Sequence, residues 1–238
     1  MEFLFTRNKE ERAAFKLVWY MSGNERLFKQ SFFPSLAYIV ILIVVQFTRS
    51  GTSVEQLIGS SKYFIALYSF LLISFTLTST IVLGDNHNVG WLFKVLPVET
   101  PAEYFKGFIK SAFVRFFNPF YFVISIVIVV LWGVAVIPDI IIAWLTIYLC
   151  TLLLFYIQSP QFPFSHPKAT NQGGANFAKI FGLILLSVML GFIHYLLNKW
   201  DIYGRLSLVI FYTIGIVIVN RVIVYKLLRW DRIEIAES

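Results

Sequence analysis

Charge is scarce in this chain: only 14% of its 238 residues are Asp, Glu, Lys or Arg, against 58% hydrophobic. A soluble fold of that length would need far more charge to cover its surface, so this balance excludes an ordinary soluble domain. Cysteine is nearly absent. Cys150 stands alone in an apolar run, which excludes an intrachain disulfide and any paired-cysteine motif. Asn-X-Ser/Thr acceptors are absent, and the polar first thirty residues lack the apolar core of a signal peptide. There is no Gly-x-x-x-x-Gly-Lys-Ser/Thr loop, so the chain does not itself bind ATP by a P-loop. His-Glu-x-x-His and Gly-x-Ser-x-Gly are also missing. The three histidines, His87, His166 and His194, fall in three separate segments and cannot form one metal site. For His194, a satisfied packing role is the expectation. Hence no catalytic residue, metal ligand or cofactor is assigned, and the chain is not expected to be an enzyme.

Long apolar runs are what the chain has. By length they read as six spans. The first is about Ser31 to Phe47 and the second about Tyr63 to Leu83. From Asn118 to Gln158 the only charge is Asp139, and the stretch is about two spans long. Pro138-Asp139 is therefore expected to mark a tight turn between a third span ending near Ile137 and a fourth ending near Ile157. The fifth is about Ile180 to Asn198 and the sixth about Leu206 to Tyr225. No period-two alternation argues for a barrel, so the fold class is all-α: a polytopic membrane protein of six transmembrane helices. Three regions follow: a cytoplasmic interfacial segment (1–30), a six-span domain (31–228) and a short cytoplasmic tail (229–238).

The basic residues set the orientation. With the N-terminus in the cytoplasm, sixteen of the twenty Lys and Arg lie inside and only Arg49, Lys62, Lys199 and Arg205 lie outside. Both termini are thus expected in the cytoplasm. A pI near 9.5 reports topology and not nucleic-acid binding. No acidic or basic residue falls in the middle of a span, which argues against a proton-driven carrier. The second span is the most polar, and its Ser69, Ser74 and Thr78 are candidates to line a translocation path. Bonding to their own backbone is the blander alternative. In the fifth span, Ser187 and Gly191 form a small-x-x-x-small pair suited to close helix packing or a dimer seam.

Two polar segments carry more pattern. In the first, Asn8 and Glu11 read as a helix start, after which Ala14, Phe15, Val18, Trp19 and Met21 gather on one side. An amphipathic helix lying in the membrane interface on lipid is expected, with packing on another cytoplasmic element as the alternative. The second is Gly84 to Arg115, the longest polar interruption, and it is still aromatic: Trp91, Leu92, Phe93 and Leu96 cluster before Pro97. Thr100-Pro101-Ala102-Glu103 then reads as a capped helix start, with Glu103 reaching back to the Thr100 amide. Phe105, Phe108, Ile109, Ala112, Phe113 and Phe116 follow at helical spacing, with Glu103, Lys106 and Lys110 on another face. A shorter apolar helix is expected near Val89 to Leu96. The loop Ser159 to Lys179, rich in Pro and Gly, reads as a flexible linker.

The run WLFKVLPVETPAEYFKGFIK resembles the cytoplasmic coupling loop of six-helix ABC-exporter permeases. Trp91, Leu96, Pro97, Val98, Glu103, Tyr104 and Gly107 carry the match. The N-terminal helix is similar to the elbow helix of that family. The stretch FTRNKEERAAFKLVWYMSGNERLFK resembles the middle of longer permeases of this kind, so the resemblance implies a permease subunit or the C-terminal half of one. It implies an exporter moving a substrate with energy from a separate ABC ATPase subunit. Trp91, Leu92, Phe93, Leu96, Pro97, Thr100 and Glu103 would make the ATPase-coupling site. The implied partners are that ATPase, a second permease domain and membrane lipid, with no nucleic acid, in a bacterial cell membrane. The outer loop near Lys199 to Arg205 is shorter than the family usually carries. The alternative function is a membrane scaffold or accessory subunit without an ATPase. An intramembrane enzyme is disfavoured because no acid, base or metal ligands cluster in the sequence.

Overall fold

A computed structural model of the chain describes residues 6–48, 60–85, 101–157, 161–166 and 173–227, and every absence noted below refers to those residues. The helices are α1 (Lys9–Asn24), α2 (Arg26–Thr48), α3 (Tyr63–Thr80), α4 (Pro101–Ala112), α5 (Asn118–Trp132), α6 (Ile137–Ile157), α7 (Gly173–Asn198), α8 (Asp201–Ile218) and α9 (Val224–Leu227). π-turns at Phe113–Phe117 and Val219–Ile223 carry α4 into α5 and α8 into α9. Six helical stretches are long and apolar enough to cross a membrane, and no strand occurs among the described residues. The protein is an all-α, multi-pass membrane protein.

The core is organised around α3. In the span Tyr63–Thr80, 72% is buried, against 22% for the span in α7 and 24% for the span running through α8. α2, α6 and α7 pack along it, with Phe117 and Tyr121 closing against Phe70 from the α5 side. α6 in turn supports α8. The peripheral helices leave large apolar side chains uncovered, among them Phe122, Ile126 and Val130 on α5, and Phe181, Leu185 and Phe192 on α7. In water such faces would aggregate; in a bilayer they face acyl chains.

α4, the first π-turn and α5 form one unbroken span candidate of 32 residues, Pro101–Trp132. At 1.5 Å per residue it is about 48 Å long, well beyond the roughly 30 Å of hydrocarbon. The excess of about 18 Å, roughly twelve residues, is enough to carry its charged end, with Glu103, Lys106 and Lys110, clear of the lipid core. α1 lies against this end.

Three expectations change in the structure, and one open pair of alternatives is decided. The turn after the third span is not at Pro138-Asp139. α5 ends at Gly133, whose φ of 84° is the left-handed conformation that favours glycine, and whose N–H bonds to the Val129 carbonyl at 2.8 Å. A 3-10 turn over Val134–Val136 leads to α6, where Pro138 is the second residue and its missing N–H is harmless. Asp139 consequently lies inside a helix and is buried. Second, the apolar face of α1 rests on α4 and not on lipid: Ala14, Phe15 and Val18 are buried there. Amphipathic spacing marks a face to be covered without saying by what. Third, residues 161–166 are docked onto the end of α3. The Phe164 and His166 amides donate to the Ile81 and Val82 carbonyls at 3.0 Å each, and the Gly84 amide donates to the His166 carbonyl at 3.0 Å. Phe162 and Phe164 are buried among Phe105, Phe108 and Phe28, so this part of the loop is anchored. Last, Ser187 and Gly191 seal an internal contact. The Ser187 hydroxyl donates to the Tyr68 carbonyl at 2.6 Å, and the Tyr68 ring lies over Gly191.

Candidate functional site

The residues expected to engage an ATPase, Trp91, Leu92, Phe93, Leu96, Pro97 and Thr100, lie outside the described residues, as does the short helix expected near Val89 to Leu96. The structure does describe the residues on either side of that segment: the leading side is held at the α1–α2 joint and the trailing side by α1 itself. At the leading end, Asp85 clasps the joint between α1 and α2: its carboxylate accepts from the Arg26 amide at 2.8 Å, and its own amide donates to Glu25 Oε2 at 3.0 Å. At the trailing end, α4 begins at Pro101, the position the sequence signals, and runs under α1.

The α1–α4 contact is fastened by charge as well as by packing. Glu11, buried in the first turn of α1, accepts from the Arg7 amide at 2.6 Å and from Lys110 Nζ on α4 at 2.6 Å. The Trp19 ring, stacked on Phe15, receives the Arg115 guanidinium at 5.1 Å. Glu103 is buried too, and it is held from its own helix and from α9. Lys106 Nζ donates to it at 2.9 Å and the Tyr225 hydroxyl also donates to it. Lys106 in turn lies 4.1 Å from the centre of the Tyr225 ring. Glu103 thus ties the base of the third span to the base of the sixth. A cleft of about 540 Å³ opens between these elements, lined by Arg7, Glu11, Glu103, Lys110, Arg221 and Tyr225 among others.

Of the three path candidates on α3, Thr78 alone lines either this cleft or the smaller gap beside Phe108. Ser74 is fully buried, with no hydrogen-bond partner for its hydroxyl. Thr78 bonds to the Phe75 carbonyl and borders a gap of only about 10 Å³ beside Phe108 and Thr151. Ser69 bonds to the Ile65 carbonyl at 2.7 Å, but it is half-buried and lies on the one stripe of α3 that its neighbours leave open. That stripe also carries Thr76 and Ser79, and α2 and α7 each pack on α3 without packing substantially on each other. Helical spacing from Ser69 would have grouped these three hydroxyls. Which face of an apolar helix stays open, however, is decided only by the packing.

The residues that sequence reasoning missed are at the opposite end of the bundle. There Asp139 on α6, His194 and Asn198 on α7, Arg205 on α8, and Tyr63 and Tyr68 on α3 converge. The Tyr63 hydroxyl donates to Asp139 Oδ2 at 2.8 Å, and Arg205 Nε lies 3.4 Å from Oδ1. Arg205 Nε also donates to Asn198 Oδ1 at 2.6 Å. His194 Nδ1 is 3.0 Å from the Tyr68 hydroxyl, and its Nε2 is 3.5 Å from Asp139 Oδ1. The expectation that acid and base groups do not cluster therefore fails here. Treating Asp139 as a turn residue hid the cluster, although it was the sole charge in two spans' length of sequence.

Compared with known proteins, the chain matches no family model, no curated protein and no solved structure.

Proposed function

We propose that the chain is the transmembrane permease domain of an ATP-driven exporter, powered by a separate ABC ATPase subunit and paired with a second permease domain. The observation that carries this reading is the double anchorage of the segment 86–100. Asp85 fixes one end to the α1–α2 joint and α4 fixes the other to α1, while α4 continues as one helix into the third span. A force applied to that segment is delivered to a closely packed two-helix base and from it to the bundle. A passive loop has no need of such a mounting. The aromatic cluster Trp91, Leu92, Phe93 and Leu96 supplies the surface an ATPase groove would grip. In this reading the distribution of Lys and Arg puts α1, both termini and this base in the cytoplasm. The hydroxyl stripe of Ser69, Thr76 and Ser79 faces the path or the second domain.

The test is capture. Photo-crosslinking residues placed at Trp91 and Leu96 in intact membranes should trap a protein that binds ATP through a P-loop. Capture of lipid alone, with no ATPase among proteins retained in mild detergent, defeats the reading.

A further inference from the structure

Among the polar atoms of the Asp139 cluster, two buried ones have no hydrogen-bond partner: Oδ1 of Asp139 and Nε2 of His194. They face each other at 3.5 Å, and their residues are 1% and 0% exposed. A neutral imidazole has one N–H to share between two nitrogens. If Nδ1 carries it, Tyr68 is served and Nε2 turns a lone pair toward a carboxylate oxygen. If Nε2 carries it, the proton points at Oδ1 across a gap too long for a hydrogen bond. A second proton makes both nitrogens donors, and the attraction to Asp139 then draws the pair into charge-assisted range, about 2.7–2.9 Å. One added proton satisfies both orphaned atoms.

We propose that His194 and Asp139 form a proton-binding site, and that a proton bound there latches α7 to α6. Arg205 supplies the exchange. Its Nε and His194 Nε2 lie 3.4 and 3.5 Å from the same carboxylate oxygen, and its side chain is 31% exposed while Asp139 is sealed. A protonated imidazole takes that oxygen from the guanidinium, whose Nε already donates to Asn198 and whose side chain reaches water. The proton enters beside Arg205 from the aqueous phase at this end, the outer one in the orientation proposed above. The other groups around the imidazole carry no charge of their own. α3 presents Tyr63, Tyr68 and the edge of the Phe64 ring at 4.9 Å, and Cys150 of α6 and Tyr212 of α8 lie beyond Tyr68. Among the described side chains in contact with the imidazole or its carboxylate, Asp139 and Arg205 bear the charge, with Lys199 further out over the Tyr195 ring, so a proton on His194 changes the cluster's net charge. This inference stands apart from the transport reading, since it needs no ATPase and no substrate.

The chain has three histidines, so a His87→Gln, His166→Gln background leaves His194 as the single imidazole. With histidine labelled at Cε1 and the protein in lipid nanodiscs, the carbon signal should titrate once between about pH 5 and 8. Asp139→Asn should weaken proton binding at least about tenfold, the effect of losing an opposite charge at this range. Tyr68→Phe, which spares the carboxylate, should change it less. If Asp139→Asn fails to fold, Arg205→Gln serves instead: removing the competing cation should strengthen proton binding by a similar factor. The latch is read by amide exchange at residues 192–198, corrected for intrinsic rates. Exchange should slow several-fold from pH 8 to pH 6 in the parent and not in Asp139→Asn. A signal that is flat across the window, or a midpoint indifferent to Asp139 and Arg205, overturns the site. Exchange that ignores pH in the parent overturns the latch.

Discussion

Gly107 lies directly under the backbone of α1 at Glu11, so close that a Cβ there would collide with the Glu11 carbonyl oxygen and stand 2.8 Å from Ala14 Cβ. One turn further along α4, Lys110 closes on the Glu11 carboxylate at 2.6 Å. The same residue of α1 is thus held through its backbone and through its side chain. Without that glycine the two helices could not approach closely enough for the ion pair to form beneath them.

Gly107→Ala is therefore expected to separate α1 from α4 even though alanine favours the helix. Overpacking of this kind costs about 1–3 kcal/mol, and helix propensity returns less than about 1 kcal/mol of it. Ala14→Gly should rescue poorly, because it relieves the methyl contact and leaves the collision with the backbone. Limited proteolysis at α1 and melting in detergent measure both. A Gly107→Ala protein as protease-resistant as the parent contradicts the close packing.

Composition and run length were enough to read the span count, because burying uncharged apolar length leaves few alternatives. The base of the third span was legible as well: Pro101 opens α4, and Phe105, Phe108, Ile109, Ala112, Phe113 and Phe116 are all buried as their spacing requires. Partners were not legible. Spacing shows that α1 has a face to cover, and only the fold shows that α4 covers it. Pro138 read as a turn because proline both ends and begins helices, whereas Gly133 five residues earlier carried the real stop. The Asp139 cluster draws on four helices, and no local pattern brings Tyr63, His194 and Arg205 together.

That cluster also sets a stability expectation, to be read at one fixed pH. Arg205→Met leaves a buried carboxylate without its cation and should destabilise the bundle by about 2–3 kcal/mol, less than for a sealed pair because Arg205 keeps contact with water. Adding Asp139→Asn removes the stranded charge, so the double variant should be more stable than Arg205→Met alone. Unfolding in graded denaturing detergent compares the three. If the double variant is the less stable one, Arg205 is not what holds Asp139 in place.

Orientation is open to direct labelling in a Cys150→Ala background. Buried positions such as Ser22 and Ser165 would be silent on either side, so exposed ones are needed. Cysteines at Ala135 and Trp200 should react with an impermeant maleimide from outside, and those at Lys9 and Lys226 should react only after the membrane is opened. Labelling of Lys226→Cys in sealed cells would reverse the arrangement proposed from the basic residues.

The last prediction separates gripping from transmission. Trp91 and Phe93 are proposed to bury in an ATPase groove, and each large apolar side chain so buried is worth roughly 1.5–3 kcal/mol. Replacing both by Ala should weaken the complex by a factor on the order of a hundred. Glu103 has a different task. It accepts from Lys106 on its own helix and from Tyr225 beyond the second π-turn, so it passes displacement of α4 to the sixth span. Tyr225→Phe keeps the ring beside Lys106 and removes only the hydroxyl. Glu103→Gln keeps the shape and removes the charge. Neither touches the aromatic cluster, so both variants should bind the ATPase as the parent does. Both should export less substrate for each ATP hydrolysed, because the third span moves and the sixth no longer follows. Hydrolysis and export measured in the same reconstituted vesicles give that ratio. Should it be unchanged in both variants while Trp91→Ala with Phe93→Ala still abolishes binding, the segment grips as proposed but the force reaches the bundle by another route.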